Sequence, residues 1–254
     1  MSIIQGTAKA SGDDSFYDFP IGQSLRFDGS SYLSFTPSSN TNSGLWTYSV
    51  WVKLSDFSDG LLLGASPSSW QSDLRFSAGE LQFFDDGGNN FNVESSMLFR
   101  DTSAFYHIVV AVNSSLSTDK IKIYVNGSVI SFSTDSQTNF TLNDTTKFNN
   151  SSYAMRIGGR SSSVVVLKGY LAEINFIDGS ALSPTSFGKT KNGLWIPKDP
   201  SGLTYGTNGF RLTFASSDFN TSGSAVTDPH GSSTTVPDGY VADASGSGNH
   251  WNVN

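Results

Sequence analysis

Glutamate stands at only three positions in this chain, Glu80, Glu94 and Glu173, and none has an acidic residue two or four places away. Glycoside hydrolysis needs two carboxyl groups about 5 Å apart for retention, or somewhat farther for inversion. On a strand that separation comes most simply from two acids on one face, at i and i+2 or i+4. Glu173 and Asp178 are five apart, which predicts opposite faces of an extended strand. This pattern predicts a protein that is not an enzyme. Gly188-Lys-Thr190 has the ending of a phosphate-binding loop, but the glycine required five positions upstream is missing. The three histidines, His107, His230 and His250, are far apart in sequence. His107 falls inside an apolar strand, where a hydrogen-bonded core imidazole is the simpler reading than a zinc ligand.

Oxygen-rich turns and loop aromatics are the remaining chemistry. Hard cations take several loop oxygens, and Asp28-Gly-Ser-Ser31, Asp85-Asp-Gly-Gly-Asn-Asn90 and Asp243-Ala-Ser-Gly-Ser-Gly-Asn249 could each supply them. Calcium, if bound, is expected on Asp85, Asp86 or Asp243; the simpler reading of such strings is turns alone. A sugar stacks its apolar face on an aromatic ring while its hydroxyls seek polar groups. Trp70, in Pro67-Ser-Ser-Trp-Gln71, is the first candidate for such a platform, and Phe91, after the Asp85 loop, is the second. Near the start, Phe16, Tyr17 and Phe19 read as aromatic pins for an N-terminal arm, or as contacts for assembly with a neighbour.

Strands must position these groups. Trp46, Tyr48, Val50, Val52 and Leu54 form an apolar stripe opposite Thr47, Ser49 and Lys53, leaving Trp51 on the far face for a second layer or a subunit contact. Leu61–Leu63, Leu74–Phe76 and Leu81–Phe84 follow as shorter strands. Phe105–Val112 is apolar on both faces, so it is predicted at the centre of a sheet. Ile121–Val125, turning at Asn126-Gly127, reads as a hairpin of primed type with Val129–Phe132 as its return strand. Between Gly169 and Asp178, Tyr170, Ala172, Ile174 and Phe176 alternate with Leu171, Glu173 and Asn175. Ser183-Pro184 marks a short helical turn, and Trp195–Pro197 with Phe210–Phe214 reads as one more strand pair. Short strands at this spacing predict an all-β, two-sheet antiparallel jelly-roll sandwich. Residues 1–22 form the arm and 23–254 one sandwich, with 195–254 completing it.

Composition narrows the partners. The formal net charge of -7 disfavours nucleic acid and anionic lipid. Cysteine is absent, which removes disulfides, thiolate metal sites and cysteine nucleophiles. Aromatics at 13% give material for a real core. No apolar run approaches the ~20 residues of a membrane helix, and no secretory leader is evident after Met1.

Several segments in combination resemble laminin G-like, concanavalin A-like proteins of tailed, marine-type bacteriophages. They are Phe16–Phe27, Ala104–Val110, Leu171–Gly188, Trp195–Lys198, Tyr205–Phe210 and Asp243–Trp251. The resemblance implies a virion protein on the exterior of the particle, made in the host cytoplasm: a decoration protein or a tail or head fibre component. Its implied partners are other virion proteins, further copies of itself and, in the alternative reading, host-surface polysaccharide bound as an adhesin. A secreted bacterial lectin-like module is the third reading. In many laminin G-like domains the loop resembling Asp243–Asn249 comes near the N-terminus. Its late position here implies a circular permutation with Trp251 capping the sandwich edge.

Overall fold

Trp46, Tyr48, Val50, Val52 and Leu54 all enter one buried core, as their period of two requires. The computed structural model in which they do so describes residues 16–66, 71–86, 90–160, 165–230 and 232–254. Its strands, in chain order, begin with β1 (Leu25–Asp28), β2 (Leu33–Phe35), β3 (Leu45–Leu54), β4 (Gly60–Ala65), β5 (Ser72–Ser77), β6 (Glu80–Asp85) and β7 (Phe91–Ser95). Then come β8 (Tyr106–Asn113), β9 (Ile121–Val125), β10 (Ser128–Val129), β11 (Phe132–Asp135), β12 (Met155–Ile157), β13 (Lys168–Asp178), β14 (Gly188–Lys191) and β15 (Leu194–Pro197). The last are β16 (Phe210–Leu212), β17 (Phe219–Asn220), β18 (Val226–Thr227), β19 (Thr235–Val236), β20 (Tyr240–Val241) and β21 (Trp251–Val253).

They build an antiparallel sandwich. One sheet runs β1-β13-β3-β8-β9-β10, with β16 sharing the edge of β13 beside β1. The other runs β11-β7-β6-β5-β4-β12-β2-β21-β20-β17. Between them lies an aromatic core in which Trp46 packs on Phe83, Phe148 and Phe176, and Phe210 bridges Phe176 to Trp251. β8 sits at the centre of its sheet, as its two apolar faces predict.

Three sequence expectations change. The alternation on β13 is broken by a bulge between Ala172 and Asn175, where Glu173 takes φ 45°. Leu171, Ile174 and Phe176 therefore face the core together, and Tyr170 and Ala172 do not join them. The return strand after Asn126-Gly127 is only Ser128–Val129; the chain then crosses to the other sheet and pairs Phe132–Asp135 with β7. Third, β15 pairs with β14, while β16 pairs with β13, so the two segments expected to pair with each other belong to different layers. The turn itself has both central residues at positive φ, Asn126 at 49° and Gly127 at 82°, as a primed turn requires. Pro184–Ser186 forms the expected short helical turn.

β21 lies between β2 and β20 in the ten-stranded sheet, with Trp251 wholly buried against Phe35 and Phe210. Trp251 thus fills the interior rather than capping an edge. The hairpin β14–β15 and the segment around Tyr205 form a third layer over the outer face of the seven-stranded sheet.

Candidate functional site

A sandwich has two outer faces, and here they differ in kind. That of the seven-stranded sheet is closed by the third layer. Val109 and Ile177 lie under Phe187 and Tyr205, with Tyr124, Leu182 and Leu203 around them. Beside this cluster Trp51 stacks on His107 with ring centroids 4.6 Å apart, and His107 stacks on Trp195 at 6.0 Å. Trp195 Nε1 donates to His107 Nδ1 at 2.9 Å. An indole nitrogen only donates, so the imidazole proton sits on Nε2, which donates to Ser49 Oγ at 2.9 Å. Burial holds the His107 pKa down to about 3. Trp51 thus serves a second layer, and His107 is the hydrogen-bonded core histidine its strand predicts.

The outer face of the ten-stranded sheet carries polar side chains at alternate positions of β5, β6 and β7. Arg75, Gln82, Asn92 and Glu94 are half-buried there, while Leu74, Phe76, Leu81, Phe83, Phe91 and Val93 point into the core. Arg75, Gln82, Glu94 and Thr134 stand opposite one another in register across four strands. Their heads form one network. Arg75 Nε donates to Gln82 Oε1 at 2.8 Å, Gln82 Nε2 to Glu94 Oε1 at 2.7 Å, Asn92 Nδ2 to the same oxygen at 3.0 Å, and Thr134 Oγ1 to Glu94 Oε2 at 2.7 Å. Bonds from Asn92 and Thr134, then from Gln82, with the charge of Arg75, hold the Glu94 carboxyl below its usual range despite burial. The guanidinium of Arg75 lies 4.6 Å from the ring centre of Phe84. Amide, carboxylate, guanidinium and aromatic ring are thus fixed side by side on a half-open sheet, the groups a polyhydroxylated ligand is held by.

At one end of this face the β4–β5 and β6–β7 loops are tied together: the Gln71 amide donates to the Asp86 carboxylate, and the Asp86 amide to the Gln71 carbonyl at 3.0 Å. Trp70, the first sugar-platform candidate, precedes Gln71 and lies outside the described residues. Phe91, the second, is a correction: it is 1% exposed, wedged between Phe83 and Phe140, and presents no ring to a ligand.

Two of the three residues expected to hold calcium have partners within the protein. Asp85 is buried; its oxygens lie 3.2 and 3.1 Å from Lys147 Nζ, and Ser72 Oγ donates to it. Asp243 is buried and accepts from the amides of Arg211, Ser245 and Asn249 and from Ser245 Oγ. Burial raises its pKa, and those bonds oppose the rise. Both carboxylates hold the protein's own donors, so a cation there would have to displace an ammonium or a set of backbone amides. Asp86 spends one oxygen on Gln71. Among the described residues no group of three or more acidic or histidine side chains is placed to hold a metal.

The arm residues dock on their own chain. Asp18 pairs with Lys189 and Lys191, Phe16 lies 5.8 Å from Lys191 Nζ, and Phe19 lies 5.7 Å from the Arg211 guanidinium. Tyr17 is 46% exposed. The sequence singles out none of Arg75, Gln82 and Asn92, and Glu94 only as a glutamate without an acidic partner. Their signal was there, as polar residues at every second place in three consecutive apolar strands.

Residues 27–186, well over half of the chain, match the family model described as the concanavalin A-like lectin/glucanases superfamily. No curated protein matches. Among solved structures the chain is similar to a protein from Bacteroides ovatus ATCC 8483 whose assignment is carbohydrate binding, at 15% identity and a TM-score of 0.56, covering 91% of this chain and 58% of that one. The chain thus spans little more than half of that relative's length. It is also similar to domain 4 of an extracellular arabinanase from Geobacillus stearothermophilus, in complex with arabinotriose, at 16% identity and a TM-score of 0.50, covering 66% and 76%. A third likeness is to domains LG4-5 of the mouse laminin α1 chain, at 16% identity, a TM-score of 0.47 and coverage of 61% and 42%. With its two antiparallel sheets and this family match, the chain belongs to the concanavalin A-like lectin/glucanases superfamily.

Proposed function

We propose that the protein binds carbohydrate without catalysis, and that the ligand lies across β5, β6, β7 and β11 on the outer face of the ten-stranded sheet. The observation that carries this reading is the network of Arg75, Gln82, Asn92, Glu94 and Thr134, already fixed by its own hydrogen bonds. A site whose polar groups are held before binding loses little entropy when a sugar arrives. The neighbours assigned to carbohydrate binding or complexed with arabinotriose support the ligand class.

The absence of catalysis is part of the proposal. A glycosidase acid must keep its proton near neutral pH, which means a raised pKa. Glu94 is shifted the other way. Glu173 is raised by burial, but Arg211 Nε donates to it at 2.6 Å, and Phe19 lies over that arginine. The sequence resemblance supplies the setting: the exterior of a phage particle, with host-surface polysaccharide as the ligand and other virion proteins or further copies as neighbours. Tyr17 is the candidate for such a docking contact.

The test is binding to an array of neutral and charged oligosaccharides, followed by calorimetry on the best ligand. Gln82→Ala and Glu94→Ala should each weaken binding about tenfold or more, since each leaves partners unpaired. Unchanged affinity in both, or release of reducing sugar by the wild type, overturns the reading.

A further inference from the structure

Three strands away from that network, the same sheet face holds a cavity of about 420 Å³ beside β2, β20 and β21. Small-ligand pockets run roughly from 300 to 1,000 Å³. Ser34, Tyr240, Asn252, Thr234 and His250 line it. Tyr240, Asn252, Ser34 and Arg156 stand opposite one another in one row across β20, β21, β2 and β12. All four are half-buried and outward, because Val241, Trp251, Leu33, Met155 and Ile157 beside them enter the core.

Arg156 is the unexplained member of this row. Among the described residues it has no ion-pair partner, and its buried Nε–H meets no acceptor. Asp73, two strands away across Gly64, gives Oδ2 to Arg160, while its buried Oδ1 has no hydrogen-bond partner. A half-buried guanidinium left unpaired in a chain of net charge -7 is a costly arrangement unless something else supplies the acceptor. Arg156 does not itself line the cavity, but it stands opposite Ser34, which does; with strands about 4.8 Å apart, its side chain is long enough to reach a ligand seated there. The opposite end has the other polarity. His250 Nδ1 accepts from the Asp243 amide at 3.0 Å, which puts the ring proton on Nε2, 2.9 Å from Thr234 Oγ1. Behind it stands buried Asp228, whose Oδ2 lies 4.0 Å from His250 Nε2 and has no hydrogen-bond partner.

We propose that this cavity is a second binding site, for one anionic sugar ring. Arg156 takes the carboxylate or sulfate; Tyr240 faces the ring, and Ser34, Asn252 and Thr234 meet its hydroxyls. The negative end at Asp228 repels the acidic group and so orients the sugar along the row. Guanidinium suits both acid types because its planar fork matches their paired oxygens.

Calorimetry on the full chain tests it, with three probes of equal length: an oligogalacturonate, the same oligomer with its carboxyls reduced to alcohols, and a sulfated galacto-oligosaccharide. At least one anionic probe should bind ten times tighter than the neutral one and weaken as salt is raised. Arg156→Gln should remove that preference. Its melting temperature should stay within a few degrees of wild type, because the side chain has no internal partner to lose. Tyr240→Ala should weaken the anionic and neutral probes alike, while Gln82→Ala should leave the preference intact, which separates this site from the one on β5–β7. Equal binding of all three probes, binding of none in the millimolar range, or a preference that survives Arg156→Gln overturns the proposal.

Discussion

A neutral imidazole held between two indoles has a consequence for acid stability. His107 has a folded-state pKa of about 3, against an ordinary value of 6.5, because burial disfavours its charge. Between those values the unfolded chain binds a proton that the folded chain refuses. Stability is therefore full above pH 6.5 and falls as the pH drops toward 3. At about 1.4 kcal/mol per pKa unit, the loss amounts to several kcal/mol across that window. Urea denaturation from pH 7 to pH 4 should show it, and His107→Gln should flatten the slope; parallel curves would refute the assignment. Asp85 and Lys147 make the second prediction at this scale. Removing either partner leaves a buried charge alone, so Asp85→Asn should cost about 3–5 kcal/mol. Because that carboxylate already holds an ammonium, millimolar calcium should leave the wild-type melting temperature unchanged. A rise of several degrees, abolished by Asp86→Asn, would show that calcium binds at that loop.

Among the elements, β13 and the β9–β10 turn are the informative ones. Deleting Glu173 should close the bulge and leave Ile174 opposite Val50 and Phe176 opposite Tyr48, because Glu173 is the extra residue and the rest then alternate regularly with the core on one side. The deletion and Glu173→Gly, which suits the positive φ, should therefore both fold, each with a lowered melting temperature from the loss of the Arg211 pair; an insoluble deletion product would show that the bulge itself is required. At the turn, a Cβ on Gly127 would stand 2.5 Å from the ring of Trp195. Gly127→Ala should therefore cost about 2 kcal/mol or more, by crowding the β14–β15 layer as well as by straining φ, and near-UV circular dichroism should report the displaced indole. These elements also mark what the sequence could and could not disclose. The Trp46 stripe, the two-faced β8, the Asn126-Gly127 turn and the Ser183-Pro184 turn follow from periodicity and local chemistry, and were legible. The bulge at Glu173 is invisible to a count of alternating residues. Phe91 looked like a loop aromatic because nothing in the sequence shows Phe83 and Phe140 closing over it. Asp85 looked like a cation ligand because Lys147 stands 62 residues away. Polar residues on β5–β7 read as an ordinary wet face until their register joined them into a network.

At the scale of the whole molecule, the sandwich closes the outer face of its seven-stranded sheet with its own chain and leaves a row of polar side chains on the outer face of the other. Removing residues 209–254 should abolish folding. It strips β16 from β13 and β21 from β2, and it uncovers Phe35 and Phe176, whose partners are Trp251 and Phe210. A soluble fragment with an unchanged melting temperature would show that the last strands are dispensable. The place of β21 also bears on how the molecule is made. β2 and β21 are neighbours, and Asn254 Nδ2 donates to Ser34 Oγ across 220 positions of sequence. A ribosome delivers β2 about two hundred residues before β21. Over that interval one edge of β2 waits bare, with Leu33 and Phe35 ready to join the wrong strand. Closure of such distant pairs is slow. Production in cells should thus respond more to holding chaperones and slower translation than to added stability of the finished fold.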